Sequence, residues 1–438
     1  MISPQRRREI IDALRRGTVP QRGLDAFAVA TERYAATFDD ELAAVSAGSA
    51  GFKAIRGEYG SGKSFTVRWI AERARQQGFA TAEVQISEGE TPLHHLETVY
   101  RRLCERLTTA DAPTGALRTV IDSWFFALHD DVLSGGDVDP SDGAAVLAAT
   151  DKLAEQRLGP VAAQAPALAT VLRAYRHALA DGDAARAEGL LAWLGGQPHV
   201  AASVKRAADI RGDLDHDGAL AFLAGLLTIL RGAGYAGLVL VLDEVETLQR
   251  VRSDARDRAL NALRQLIDEV NQGRYPGLYL VITGTPAFFD GPQGAQRLAP
   301  LAQRLHTDFT TDARFDNPRA VQLRLPGFDV AGLEAVGRRV RDLYRSGAEG
   351  ADRIAARCDD DYVGVLARAV TGDLGGKVGV APRVFLKKLV GDVLDRVDQF
   401  PDFDPRRDYS LTIADTELTE VERNARAAAS VDDIALDV

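Results

Sequence analysis

Two stretches of this chain are apolar at every position. Leu238-Val239-Leu240-Val241-Leu242 runs into Asp243-Glu244, and Leu278-Tyr279-Leu280-Val281-Ile282 runs into Thr283-Gly284. A strand with no polar alternation has both faces covered, so these runs predict central strands of a parallel sheet flanked by helices. Gly51 to Arg56 and Thr81 to Ile86 read as two further strands, and Val321 to Leu325 as an edge strand closed by Pro326-Gly327. Elsewhere the apolar positions repeat at helical spacing. Ile10, Ile11 and Leu14 share one face, as do Leu96, Tyr100, Leu103 and Leu107. Toward the C-terminus, Leu333, Val336, Val340 and Leu343 form one stripe and Val384, Phe385, Leu389 and Val393 another.

These patterns predict helices over 4–16, 25–47, 64–77 and 254–273, with 144–158, 165–180 and 184–194 in between. No strand signal appears for roughly 150 residues after the second strand, so 96–217 is expected to be an all-helical insertion in an α/β core. The expected organisation is a helical leader (1–50), a core in two parts (51–95 and 218–327) around that insertion, a helical lid (328–400) and a tail (401–438). The tail carries ten acids against four arginines and is expected to end in disorder. The leader either folds over a ligand or docks on the core.

Composition narrows the class. With 438 residues, 46% hydrophobic and 26% charged, the chain is long enough for a large core. No apolar run reaches membrane-spanning length and the start carries no signal-peptide pattern, so a cytoplasmic protein with no membrane partner is expected. A net charge of −10 argues against a surface that is basic throughout. Cys104 and Cys358 have no metal-ligand or redox spacing and read as structural thiols. Only seven cations are Lys, which singles out Lys63 and the pair Lys387-Lys388; the pair reads as a solvated helix face.

The most specific chemistry lies in Gly57-Glu58-Tyr59-Gly60-Ser61-Gly62-Lys63-Ser64, which fills the phosphate-loop pattern G-x-x-x-x-G-K-[ST]. Gly57, Gly60 and Gly62 let the backbone approach an anion. Ser61 and Phe65 flank the cradle, Lys63 supplies a mobile cation, and the Ser64 hydroxyl suits Mg²⁺. The loop is expected between a strand and a helix N-terminus, where free N–H groups favour phosphate. Asp243 and Glu244 end an apolar strand, the pattern of an acid that holds Mg²⁺ through water followed by one that polarises the attacking water. Glu246 is expected as an exposed loop residue. In an additional-strand NTPase the Thr283 strand lies between the other two, so Thr283 either senses the γ-phosphate and lytic water or caps the following turn. Arg383, in Ala381-Pro382-Arg383, is placed to project from the first turn of the lid's last helix toward the cleft.

G-E-Y-G-S-G-K-S, the long helical insertion, V-L-D-E-V-E, I-T-G-T-P-A-F-F and V-A-P-R-V-F-L-K-K-L together resemble the ATP-binding P-loop proteins of BREX-type phage-defence systems, in particular their smaller, BrxD-like members. The resemblance covers residues 1 to about 400, and the layout is more distantly similar to origin-recognition AAA+ ATPases. It implies an AAA+-like additional-strand fold, ATP and Mg²⁺ as cofactors, and assembly as a homo-oligomer or with other defence-system proteins. By the same likeness, Lys63 and Ser64 bind nucleotide and Mg²⁺, Asp243 and Glu244 form the Walker B pair, Thr283 is sensor 1 and Arg383 is sensor 2. Arg297, Arg304 and Arg314 are candidates for an arginine finger, and Arg304 is preferred because its helix would lie at the subunit edge of a ring. Origin-recognition proteins follow the lid with a winged-helix domain, whereas here an acidic stretch of about 40 residues follows it, so DNA binding by that route is not expected.

The leading expectation is an ATPase that drives assembly or remodelling, on DNA, in an anti-phage system. The competing readings are a nucleotide-gated switch that binds partner proteins and a small-molecule kinase; the acid pair and the Arg383 lid suit attack by water better than transfer to a substrate. If DNA is bound, the arginines of residues 6–22 (Arg6, Arg7, Arg8, Arg15, Arg16 and Arg22) are its expected contacts, with arginines of the insertion; otherwise the first helix packs on the core.

Overall fold

A computed structural model of the chain describes residues 2–29, 31–373, 382–418 and 423. Half of the acidic tail (419–422 and 424–438) therefore lies outside the described residues, as does Ala381 of the A-P-R block. The protein is a mixed α/β fold built on one small parallel sheet. Its strands are β1 (Gly51–Arg56), β2 (Ala80–Gln85), β3 (Leu238–Asp243), β4 (Leu278–Gly284) and β5 (Gln322–Arg324), in the order β2-β3-β4-β1-β5. All four pairings are parallel. β4 is thus inserted between the phosphate-loop strand and the strand that ends in Asp243, and the short β5 closes one edge.

The two faces of this sheet carry different cores. Side chains alternate across a strand, so Leu238, Leu240 and Leu242 of β3 point one way and Val239 and Val241 the other. β4 divides likewise, with Leu278, Leu280 and Ile282 in one core and Tyr279 and Val281 in the second. This double burial is why both strands read as continuous apolar runs.

The leader contributes α1 (Pro4–Arg15) and α2 (Glu32–Ser46) to the second core. Ser3 caps α1 by accepting from the Arg6 N–H at 3.2 Å, and Gly17, at φ 71°, ends it. The helix expected over 25–47 begins only at Glu32. Leu24–Ala26 is a single 3₁₀ turn, because Phe27 is buried against the phosphate-loop helix and the Ala28 carbonyl accepts from Arg339. α3 (Lys63–Gln76) follows the phosphate loop directly.

The insertion is helical: α4 (Leu96–Arg106), α5 (Leu117–Gly135), α6 (Gly143–Ala162), α7 (Pro166–Ala180), α8 (Ala184–Leu194), α9 (Ala202–Ala207) and α10 (His216–Gly232). It continues the first core without a break, around fully buried Trp124 and Tyr175 and the edge-on pair Trp193 and Phe222. α11 (Ser253–Asn271), α12 (Pro286–Asp290) and α13 (Ala299–Leu305) complete that side. The lid, on the second face, begins with α14 (Val330–Arg345), α15 (Ala351–Arg357) and α16 (Asp360–Asp373). Its last helix is α17 (Pro382–Lys387), which runs through a π-helical stretch (Lys388–Leu394) into α18 (Asp395–Gln399). Cys104 and Cys358 are free and buried, and burial pushes each thiol up to about 12, as inert structural thiols require.

α1 docks on the lid. Arg15 makes a two-bond ion pair with Asp395 (2.6 and 2.9 Å), Arg7 donates to the Ser346 carbonyl at 3.0 Å, and Arg6 pairs with Glu9 at 3.0 Å. Arg8 and Arg16 are exposed.

Candidate nucleotide site

The site forms where β1, β3 and β4 end, the usual ligand end of a parallel sheet. The loop after β1 turns tightly because Gly60 and Gly62 take left-handed φ angles of 78° and 91°. At Gly57 any side chain would strike the Ser61 hydroxyl, 2.2 Å from where its Cβ would sit. Lys63 opens α3 and is buried. Its ammonium donates to the Gly57 and Glu58 carbonyls at 2.8 and 3.2 Å, and the Tyr59 ring lies 5.1 Å away. Burial pulls the Lys63 ammonium below its ordinary pKa, against the opposing pull of Glu246, Asp243, Glu58 and Glu244.

Asp243 is buried at the end of β3. The Thr283 hydroxyl, fully buried at the end of β4, donates to one of its carboxylate oxygens and accepts the Glu244 N–H at 3.0 Å. That hydroxyl is therefore spent on the two acids rather than on the turn after it. The Ser64 hydroxyl lies 3.5 Å from the other Asp243 oxygen. Burial pushes the Asp243 carboxyl up, while the Thr283 hydrogen bond and Lys63 pull it down. Glu244 adopts a left-handed backbone (φ 60°, ψ 45°), uncommon for a non-glycine and here fixed by the N–H bonds to Thr283 and Asp243. Its side chain is held by Gln85, whose amide donates at 2.8 Å.

A cavity of about 540 Å³ opens from this cluster. Ser61, Lys63, Ser64, Asp243, Glu244 and Glu246 line one part. The rest is mostly apolar, with Val19, Pro20, Phe27 and Val29 of the leader, Phe65 of α3, and Phe328, Val336 and Leu386 of the lid, and its charged members are Arg33, Asp329 and Arg383. The leader therefore both docks on the core and walls the cavity. Its path is fixed by α3: Glu72 accepts the N–H groups of Gly23 and Leu24 (2.6 and 2.9 Å), and Arg68 donates to the Val19 carbonyl at 3.0 Å. Phe65 meets Phe27 edge-on at 5.4 Å.

A polar, donor-rich end joined to an apolar slot of this volume fits a nucleoside triphosphate. Among the described residues no group of three or more His, Cys, Asp or Glu side chains gathers around a metal position. Ser64 and Asp243 instead offer the one or two protein oxygens that suit Mg²⁺ completed by phosphate and water.

Two expectations are corrected. Glu246 is not exposed: it retains 4% of its surface, inside the 3₁₀ turn Val245–Gln249. Lys387 and Lys388 are not a solvated face, since the Glu417 carboxylate bonds both, at 2.9 and 2.8 Å, and Lys388 is buried. Arg383 lines the cavity from the first turn of α17 and donates to the Glu417 carbonyl at 2.8 Å. The other arginines lie elsewhere: Arg304 is paired with Asp268 of α11, Arg297 with Asp257, and Arg314 is exposed beside Asp312 at 3.5 Å. Gln85 and Tyr59 are site residues that the sequence reading passed over. Gln85 had a signal, because it ends the strand beside β3 and pairs in register with Asp243.

No helix among the described residues is long and apolar enough to cross a membrane. The family model for the BREX system ATP-binding protein BrxC/D matches residues 2–413, and the chain belongs to that family. No curated protein and no solved structure matches it.

Proposed function

We propose, from membership of the BREX ATP-binding family as the premise, that the chain is an AAA+-like additional-strand ATPase that hydrolyses Mg²⁺-ATP to drive assembly or remodelling with other components of the defence system, on DNA. The observation that carries this reading is the meeting of Lys63, Ser64, Asp243 and Glu244 at the polar end of one cavity, with buried Thr283 of the intervening strand bonded to both acids behind them.

Bound Mg²⁺-ATP would supply the reactive γ-phosphoryl group and its charge neutralisation. The N–H groups at the start of α3 and the Lys63 ammonium would hold the phosphates, with Gly57, Gly60, Ser61 and Gly62 shaping the cradle. Ser64 and Asp243 would be the protein's oxygens for Mg²⁺. Glu244 would take the proton of the attacking water, with Thr283 fixing its backbone N–H. The apolar slot, including Phe65, would take the base. Arg383 would reach the phosphates from the lid after leaving the Glu417 carbonyl. In a homo-oligomer Arg304 would act as the finger for the neighbouring site, which requires it to exchange Asp268 for phosphate.

A second reading, a slowly hydrolysing nucleotide switch that binds partner proteins, is favoured by the resting contacts: Gln85 occupies Glu244, and Lys63 sits on the loop's own carbonyls. Hydrolysis measured alone, with single-stranded DNA and with duplex DNA separates the two. The ATPase reading expects turnover that Lys63→Ala abolishes together with nucleotide binding, and that DNA stimulates. Tight ATP binding with negligible turnover under all three conditions would favour the switch. Of Arg6, Arg7, Arg8, Arg15 and Arg16, only Arg8 and Arg16 are exposed without a tether described above, so DNA binding through α1 would be weak and fall steeply with salt.

A further inference from the structure

Glu246 is the most unusual charge in the molecule. It is buried, both carboxylate oxygens are shut off from solvent, and neither has a hydrogen-bond partner. An isolated buried carboxylate is costly, and burial pushes the Glu246 carboxyl above its ordinary range while the Lys63 charge pulls it down. The Lys63 ammonium lies 3.8 Å away. Glu246 cannot easily turn aside, because its 3₁₀ turn is fixed by buried Val245 and Leu248 and by Thr247, whose hydroxyl donates to the Ile86 and Glu244 carbonyls at 3.2 and 2.9 Å. Its charged and titratable surroundings are Lys63, Asp243, Glu244 and the Tyr59 hydroxyl.

We propose that Glu246 is a positioning residue for Lys63: in the empty site it holds the ammonium down in the phosphate loop, and it competes with incoming phosphate for that cation. The proposal rests on the ATP-binding reading of the same cavity. Lys63 cannot serve both partners fully. As it turns to the phosphates it leaves the Glu246 charge uncompensated beside them, in surroundings where charge pairs are weakly screened. Glu246 thereby lowers nucleotide affinity and keeps the loop open to exchange, a role distinct from the Glu244 work on water.

The test compares full-length Glu246→Gln and Glu246→Asp with wild type by titration with a fluorescent ATP analogue. Removing the charge with the shape kept should tighten binding by at least about tenfold. The Coulomb energy of a unit charge a few ångströms from phosphate amounts to roughly fivefold in affinity even at bulk-water screening and to far more at protein-like screening. Asp keeps the charge and should leave affinity close to wild type, which a purely structural role for the longer side chain does not predict. Gln affinity within twofold of wild type, or weaker, overturns the proposal, as does Asp tightening as much as Gln.

A second measurement needs no nucleotide. Lys63→Met should lower the melting temperature of the ligand-free protein by stranding Glu246, and Glu246→Gln in that background should raise it again. Additive effects in this cycle would overturn the proposal. If wild type bound no nucleotide the ATP reading would fail, while the stability cycle would still report on the Lys63–Glu246 coupling.

Discussion

The two faces of the sheet bury similar side chains but are held together differently. On the insertion face, helices α4 to α11 continue the core of β2, β3 and β4 through closely packed aromatics, with Trp124 and Tyr175 fully buried. On the other face, the leader, α3 and the lid surround a cavity of about 540 Å³ and are joined across it by directed polar bonds: Arg15 to Asp395, Arg339 to the Ala28 carbonyl, Arg68 to the Val19 carbonyl and Glu72 to two leader N–H groups. Apolar packing is tolerant of direction and resists opening; hydrogen bonds around a cavity can exchange partners when a ligand enters. The insertion face is thus held mainly by apolar packing, and the cavity face by an apolar core together with directed polar bonds. A substitution should register as stability on the first and as binding or rate on the second.

The largest expected effect is on the second face. Glu244→Gln should keep nucleotide binding and lower turnover by about 10²- to 10⁴-fold, the usual contribution of a general base; hydrolysis at the wild-type rate would remove Glu244 from that role. On the first face, Trp124→Ala should cost about 3–5 kcal/mol of unfolding free energy. Nucleotide affinity should stay unchanged below the transition. A matching loss of affinity would mean the two faces are coupled, and the contrast would collapse.

Gln85→Ala sharpens the comparison from the β2 edge. It frees the Glu244 carboxylate from its 2.8 Å hydrogen bond, so turnover should rise a few-fold with affinity unaltered. A fall in turnover would instead make Gln85 a support that Glu244 needs.

The smallest effect concerns the tail segment that latches the lid. Burial pushes the Glu417 carboxyl up, but the bonds from Lys388 and Lys387 outweigh it and hold it at about 2. A carboxyl depressed in the fold contributes stability that is fully present above its unfolded pKa of about 4.3 and is lost as pH falls through about 2. Glu417→Gln should therefore cost about 1 kcal/mol at neutral pH, with the gap from wild type closing in acid. A gap that does not depend on pH would show that packing of Leu418, not the charge, fastens the segment.

The phosphate loop and most of the elements were legible because their signals are local. Eight contiguous residues specify the loop, and the apolar runs of β3 and β4 record double burial residue by residue. The long interval without strand signals marked the insertion. Where the reading missed, a tertiary contact had overridden a local pattern. Residues 27–29 suit a helix by composition but are drawn out along the cavity, with Phe27 edge-on to Phe65 of α3 and the Ala28 carbonyl accepting from Arg339 of α14. Glu246 looks like a loop acid until β3 is placed beside α3, and Lys388 like a surface lysine until Glu417 arrives from 29 residues away.

By itself, then, the sequence determined that this chain makes a parallel sheet with a phosphate cradle, because spacing and period are properties of neighbouring residues. Only the tertiary structure decided which polar groups face one another there. Gln85 meets Glu244 across 159 residues, and Lys63 meets Glu246 from beyond the intervening strand β4. The energy of those encounters depends on burial and on distances of a few ångströms, which no pattern along the chain encodes.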